Sequence, residues 1–487
     1  MGKSQLHDLT ATEQAAAIRA GTVSPVELTE HCLERTERLD AEVGAFLTVT
    51  PELAHRQAAA AEAEALAARR EGRRLAPLHG VPVPVKDLNN VAGVRTTMGS
   101  AALEDHVATT DDHITTRLRA GGCPMPGKTN TPEFGLPPYT ENALAPPART
   151  PWDLSRSAGG SSGGAAAAVA SGLVPLAHAS DGGGSIRIPA SACGLFGIKP
   201  SRGVVSSGPV LHDVTGLSTS GPLARTVLDA ATLLDVLAGP MPGDPYSAPS
   251  LPTGGTYADA AAPSRAPGRL RIALMTTAPV PGVVTDPECV AAAEGAAALL
   301  RELGHTVEEI GAGGLPVEES LKDAFTTVWS VSAATRPVPE GREELLSPLT
   351  RELRAHGREI SAPRFAAALY AFRAMGQLMA DVVLAPGDGY DAILSPTLAQ
   401  PPQPVGRLRN DADPSAEFEG NAYFTPFTPL YNATGQPAVS LPLHWSADGL
   451  PIGVMLGGRY GEDSLLLSLS AQLEAARPWH ARRPALW

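Results

Sequence analysis

The sequence predicts one large α/β domain. Strand-like segments keep alternating with helix-like ones over all 487 residues, no repeat period or shift in composition divides the chain, and 43% hydrophobic residues suffice for a large core. A net charge of −13 opposes a broad basic face, so nucleic acid and anionic membrane are not expected partners. No uncharged apolar run reaches the roughly 18 residues of a membrane span, and the opening MGKSQLHDLTATEQ lacks an apolar signal core. A cytoplasmic enzyme acting on small molecules is the expectation.

The elements follow in order. Thr10-x-x-Glu13 is a capping box before an alanine-rich helix, and Ser24-Pro25-Val26-Glu27 opens a second one after Gly21, with Leu28, Cys32, Leu33 and Leu39 as its apolar stripe. Residues 52–72 read as a surface helix. GVPVPVKD at 80–87 alternates like a strand whose two prolines favour an edge or a strand end. Residues 112–120 look helical, 158–171 run from a glycine loop into a helix, and 186–211 read as short strands with turns. A long loop over 239–268 leads to a β-α-β unit formed by RLRIALM (269–275), a helix over 287–303 and TVEEI (306–310). Residues 317–383 are mainly helical, YDAILSPT (390–397) and QPAVSLPL (436–443) are strands, and 463–476 closes as a helix.

Only five of the 38 basic residues are lysine: Lys3, Lys86, Lys128, Lys199 and Lys322. Arginine stays protonated, so chemistry that needs a neutral amine has to retain lysine. The four cysteines, Cys32, Cys123, Cys193 and Cys289, have no metal-ligand spacing and read as buried reduced thiols; no metal site is predicted.

Two motif matches fail on context. GCPMPGKT (122–129) fits the phosphate-loop pattern, but a helix-like segment precedes it, Pro124 and Pro126 each remove an amide, and Asn130-Thr131-Pro132 follows. Gly159-Gly160-Ser161-Ser162-Gly163 fits a nucleophile elbow, but TPWDLSRSA before it is a poor central strand, and the downstream histidines His305, His444 and His480 are more simply structural. A third constellation is chemically coherent. Gly182, Gly183 and Gly184 can turn consecutive N–H groups toward one point, an oxyanion nest beside Ser185. Lys86, at the end of an apolar strand, can act as base once desolvation lowers its pKa; an ion pair with Asp87 or another acid is the competing reading.

GVPVPVKD, GKTNTPEFG, PWDLSRSAGGSSGGAAAAVASG and SDGGGSIRIPASACGLFGIKPSRGVVS, in that order, resemble the amidase signature family of serine hydrolases. The likeness continues through TGQPAVSLPLHWSADGLPIGVMLGGRYGEDSLLL, where the C-terminal third looks most like the 6-aminohexanoate-cyclic-dimer hydrolase branch. The resemblance implies a single amidase-signature domain over 1–487: a central twisted mixed sheet covered by helices on both faces, with a helical N-terminal part (1–75), a signature core (76–240) and a more divergent substrate side (315–430). It also implies Lys86 as base, Ser161 as a bridging serine after a cis peptide bond, Ser185 as the acylated nucleophile, and oxyanion donors around Gly182 to Ser185. Asp181 and Arg187 would brace that loop, with Ser162 and Thr129 as supporting hydrogen bonders. The implied reaction hydrolyses the C–N bond of a small carboxamide through an acyl-enzyme, with no cofactor and possible homodimerisation.

The same acyl-enzyme would serve an amine-accepting acyltransferase, an amidotransferase-type glutaminase would need partner subunits, and an inactive binding protein would keep only the fold. Two departures from the family pattern bear on the site. PPARTPW (146–152) lacks a flexible glycine and an asparagine, and Gly182 stands where threonine is commoner, which predicts a looser loop unless neighbours restrain it. Phe134, Trp329, Tyr370, Tyr423 and Phe424 are candidates to line an apolar cleft, with core packing the competing reading.

Overall fold

The computed structural model describes residues 6–210, 213–249, 251, 255–311, 315 and 319–487; Lys3 therefore lies outside the described residues. Thr10 and Ser24 close the capping boxes that start α1 (Ala11–Ala20) and α2 (Pro25–Val43), and left-handed Gly21 and Gly44 end them. β1 (Phe46–Val49) precedes α3 (Pro51–Glu71), whose buried stripe is almost all alanine. β1 belongs to a small sheet in which β3 (Gly127–Thr129) pairs antiparallel with β1 and parallel with β2 (Val85–Lys86). The expected strand over 80–87 is thus reduced to two residues at a sheet edge, since Pro82 and Pro84 cannot donate to a ladder. α4 (His113–Ala120) links β2 to β3.

The eight-stranded sheet begins after α5 (Gly163–Ala170) with β4 (Leu176–Asp181). The segment expected to be strands next folds as α6 (Arg187–Cys193) before β5 (Phe196–Lys199). Pro189 does not prevent this helix, because it occupies the first turn, where backbone N–H groups have no intrahelical acceptor. β6 (Thr219–Ala224) and α7 (Val227–Leu237) follow, and the expected long loop contains the short helix α8 (Tyr257–Ala260). The anticipated β-α-β unit forms as β7 (Arg271–Leu274), α9 (Pro287–Glu302) and β8 (Thr306–Glu309), with β7 and β8 parallel. Three helices, α10 (Glu319–Ala334), α11 (Pro348–Glu359) and α12 (Ala362–Leu378), then lead to β9 (Ala392–Pro396). α13 (Pro414–Phe424), α14 (Pro429–Thr434), the hairpin β10 (Ala438–Trp445) and β11 (Pro451–Gly458), and α15 (Asp463–Ala476) complete the chain.

The strand order β4-β6-β5-β10-β11-β9-β7-β8 makes a mixed sheet, antiparallel from β4 to β9 and parallel from β9 to β8. Alternation assigns its two faces. Val439, Leu441, Val454, Leu456, Ala392 and Leu394 pack on one side with residues of α7, α9 and α15, whereas Ala177, Ala179 and Leu223 face α5 and α6 on the other. β4 is an edge strand whose last residue, Asp181, delivers the chain to the glycine loop, and β2 lies against it, with His178 N donating to Pro84 O at 3.2 Å.

Candidate active site

Lys86 is fully buried at the end of β2. Its backbone N–H donates to His178 Nδ1 (3.3 Å), and its Nζ donates to Ser161 Oγ (2.9 Å) and to Ser180 O (3.3 Å). Burial pulls its pKa from 10.5 down to about 7, against the opposing pull of the Asp181 charge. The adjacent carboxylate does not pair with it: Asp87 is engaged by Lys128 at 2.8 Å, both fully buried, and by Thr97. His178 is equally committed. Its Nδ1 accepts from Lys86, so its Nε2 carries the hydrogen toward Ser220 Oγ (3.1 Å), and burial together with Lys86 and Lys128 lowers its pKa to about 3.

The peptide joining Gly160 and Ser161 is cis. A Cβ at Gly160 would stand 2.5 Å from the Tyr139 carbonyl oxygen, so only glycine lets this turn lie against that backbone. Ser162 ties the turn to the glycine loop: its N–H donates to Ser185 O (3.2 Å) and its Oγ to Ser180 O (3.1 Å). Thr129 is buried in β3, where its carbonyl accepts from Asp87 N (3.1 Å); its hydroxyl has no partner among the described residues and does not reach the serines.

The loop after β4 is built on a buried ion pair. Arg187 Nε and Nη2 donate to Asp181 Oδ2 and Oδ1 at 2.9 and 3.0 Å, and the carboxylate also accepts from Gly184 N (2.7 Å), Ile186 N (3.1 Å) and Asn432 Nδ2 (2.9 Å). Burial alone would raise the Asp181 carboxyl, but Arg187 and Asn432 hold it well below the usual carboxylate range. Thr428 Oγ1 donates to Gly183 O (2.7 Å) from the opposite wall, and Arg187 Nη1 reaches Thr428 O (2.9 Å). Gly184 has φ +130°, and a Cβ there would meet Thr428 Oγ1 at 2.4 Å. The Gly184 amide is therefore taken by the brace, while those of Gly182, Gly183 and Ser185 have no hydrogen-bond partner among the described residues. No hydrogen bond among the described residues joins Ser185 Oγ to Ser161.

Ser185 and Gly183 open onto a cavity of about 510 Å³ with mostly apolar walls. Leu321, Phe325 and Trp329 of α10 form one side and Phe418, Asn421, Ala422 and Thr425, spaced as one helical face, form another. Phe325 and Trp329 stack at 5.2 Å over the loop, and the Trp329 ring lies 3.2 Å from where a Gly182 Cβ would be. This contact restrains the loop at the position where the glycine alone predicts slack. Of the five rings singled out from the sequence, only Trp329 lines the cavity. Phe134 and Phe424 are buried in separate clusters, Tyr370 is 74% exposed, and Tyr423 lies outside the cavity, bonding Glu419 at 2.9 Å. Phe325, Phe418, Asn421, Thr428, Asn432 and His178 were not anticipated. Phe418 and Asn421 have a signal in their helical spacing and Phe325 in its place four residues before Trp329, but Thr428, Asn432 and His178 come from other segments with none.

The competing motifs do not assemble. Gly127–Thr129 of the phosphate-loop match is strand β3, and its lysine is consumed by Asp87 and Thr96. No strand runs directly into Ser161 to make a nucleophile elbow. His305 is held by Leu270 N and Gln472, and neither His444 nor His480 lines the cavity. All four cysteines are free and buried. Among the described residues no helix is long and apolar enough to cross a membrane, and no cluster of His, Cys, Asp or Glu is placed to hold a metal ion.

The amidase family model matches residues 27–467. The chain is 37% identical to the 6-aminohexanoate-cyclic-dimer hydrolase of Paenarthrobacter ureafaciens, over 98% of this chain and 96% of that protein. It is 34% identical to an acylamidase of Rhodococcus erythropolis, covering 100% of this chain and 99% of that one. Its fold matches a 6-aminohexanoate cyclic dimer hydrolase solved with its substrate (TM-score 0.88, 35% identity, 99% of both chains) and a bacterial aryl acylamidase (TM-score 0.84, 28% identity, 97% of both). This chain belongs to the amidase signature family, hydrolases that act on amides.

Proposed function

We propose that the chain hydrolyses small, uncharged carboxamides by acyl transfer to Ser185, with Ser161 relaying the serine proton to Lys86. The observation that carries this reading is the buried Lys86 amine, neutral for much of its time near pH 7 and hydrogen-bonded to Ser161 at 2.9 Å. Ser185 Oγ attacks the carbonyl carbon, its proton passes through Ser161 Oγ to Lys86 Nζ, and the oxygen charge forms against the free amides of the loop. Gly184, whose N–H is held by Asp181, shapes that nest rather than donating to the substrate. Collapse of the tetrahedral intermediate breaks the C–N bond as the proton returns to the leaving amine, and water then releases the acid by the same steps in reverse roles. The Ser185 to Ser161 hydrogen bond is one that a seated acyl group draws closed, as catalytic hydrogen bonds commonly tighten only in the Michaelis complex.

The cavity volume suits a ligand of drug-like size or smaller, and its apolar walls suit an uncharged acyl or amine portion. The relatives' names, a cyclic-dimer hydrolase and an acylamidase, point the same way. A fluorophosphonate probe tests the assignment: mass spectrometry of the labelled protein should place the adduct on Ser185, and Ser185→Ala should lose both adduct and amide hydrolysis. Adduct on another residue, or hydrolysis surviving in Ser185→Ala, would overturn it. We also propose that the chain forms the homodimer its resemblance implies; light scattering of the purified chain should read twice the 50.2 kDa chain mass, and a monomer mass would overturn this.

A further inference from the structure

Asn421 is 95% buried on the cavity face of α13, yet neither Oδ1 nor Nδ2 has a hydrogen-bond partner among the described residues. The polar side chains beside it along α13 are engaged. Glu417 takes the Tyr139 hydroxyl and Asn410 N, Thr425 Oγ1 donates to the Asn421 carbonyl oxygen, and Glu419 meets Lys322 and Tyr423. A buried amide left unpaired opposes folding, and an apolar residue of similar volume would suit this wall better. The side chain makes physical sense when something in the cavity supplies both a donor and an acceptor.

We propose that Asn421 is a substrate-orienting residue that recognises a second, non-scissile neutral group of the substrate carrying one hydrogen-bond donor and one acceptor, as a carboxamide does. The inference rests on the reading of Ser185 as nucleophile. Position favours a group other than the reacting carbonyl: Asn421 stands one helical turn before Thr425, and this wall meets the nucleophile loop only further on, where Thr428 bonds Gly183. Chemistry selects the class. A carboxylate offers acceptors only and would leave Oδ1 facing negative charge, and an ammonium offers donors only and would leave Nδ2 unpaired. Nor does the mouth supply net charge, since Lys322 and Glu419 stand 3.8 Å apart and offset each other.

The test compares paired substrates: nitroanilides of acyl chains ending in a carboxamide, nitrobenzamides whose amine chain ends in one, and alkyl counterparts of equal length, in wild-type protein and in Asn421→Leu and Asn421→Ala. At the best spacing the wild type should prefer the carbamoyl member at least tenfold in kcat/KM, about 1.4 kcal/mol, and both variants should lose that preference while Ser185 still takes the fluorophosphonate. A structural role, or a site filled only by water, predicts equal losses on both members of a pair or an unchanged ratio. Either result, or a wild type without preference at every spacing, overturns the proposal. Failure of Ser185 to label would instead strike the nucleophile assignment, because the Asn421 result is read from a ratio of rates.

Discussion

Lys86 Nζ lies 2.9 Å from Ser161 Oγ with no carboxylate bonded to it, because the neighbouring Asp87 is held by Lys128. The arrangement leaves a lysine whose titration falls near pH 7 in contact with a hydroxyl. If Lys86 accepts the proton, kcat/KM for amide hydrolysis should rise with pH through about 7 and then level. Lys86→Arg, charged at every accessible pH, and Lys86→Met should both lose roughly 10²–10⁴-fold, the usual range for general base catalysis. A pH profile flat from 6 to 9 would remove Lys86 from the base role.

The same titration predicts a stability effect of definite sign. The unfolded chain holds the Lys86 proton up to about 10.5 and the folded chain only up to about 7, so folding between these values must expel a proton. The lysine therefore opposes folding increasingly as pH falls from 10.5 to 7 and by a constant amount below that. Lys86→Met should be more stable than wild type by up to about 5 kcal/mol at pH 7 and below, with the difference fading toward pH 10.5. Urea denaturation of both proteins at several pH values measures it.

Legibility in the sequence tracked the range of each interaction. The capping boxes at Thr10 and Ser24 and the β7-α9-β8 unit depend on neighbours a few residues to a few tens away, and these were readable. α6 was not, because a proline and several β-compatible residues conceal a helix that is stabilised by packing on β5, β10 and β11. Lys86 and the serines stood out because chemistry restricts which residues can serve. The fate of Asp87 was ambiguous, since its partner Lys128 is 41 residues away and lies on the next strand. The cavity wall was least legible: Trp329 stands out as a ring and Phe418, Asn421, Ala422 and Thr425 share a helical face, but no local signal says that α10 and α13 meet over the glycine loop.

Asp181 and Arg187 are both fully buried, and each satisfies the other. Arg187→Met should leave an uncompensated buried carboxylate and destabilise the fold by about 3–5 kcal/mol. The Asp181 carboxyl is held below its ordinary value, so its contribution is present above pH ~3.8 and is lost as pH falls further. The stability gap between wild type and Asp181→Asn should narrow below pH 4. A gap that stays constant from pH 7 to 3 would mean that the carboxylate charge does not support the loop.

Gly182 and Trp329 occupy one space. A Cβ at position 182 would stand 3.2 and 3.3 Å from two atoms of the indole, tighter than ordinary van der Waals contact. Gly182→Thr should therefore destabilise the protein by about 1–3 kcal/mol, as overpacking does in a filled core, and should displace the loop that carries Ser185. Trp329→Leu alone should lower kcat/KM by removing an apolar wall, but in the Gly182→Thr background it should restore part of both stability and activity, because it vacates the volume that the threonine needs. A four-protein cycle read by urea denaturation should give a favourable coupling of about 1 kcal/mol or more; additivity within about 0.5 kcal/mol would show that the two positions do not compete. Position 182 is then glycine because α10 supplies a ring where a loop side chain would otherwise stand, and the restraint lost at the glycine is provided by Phe325 and Trp329 stacked above it.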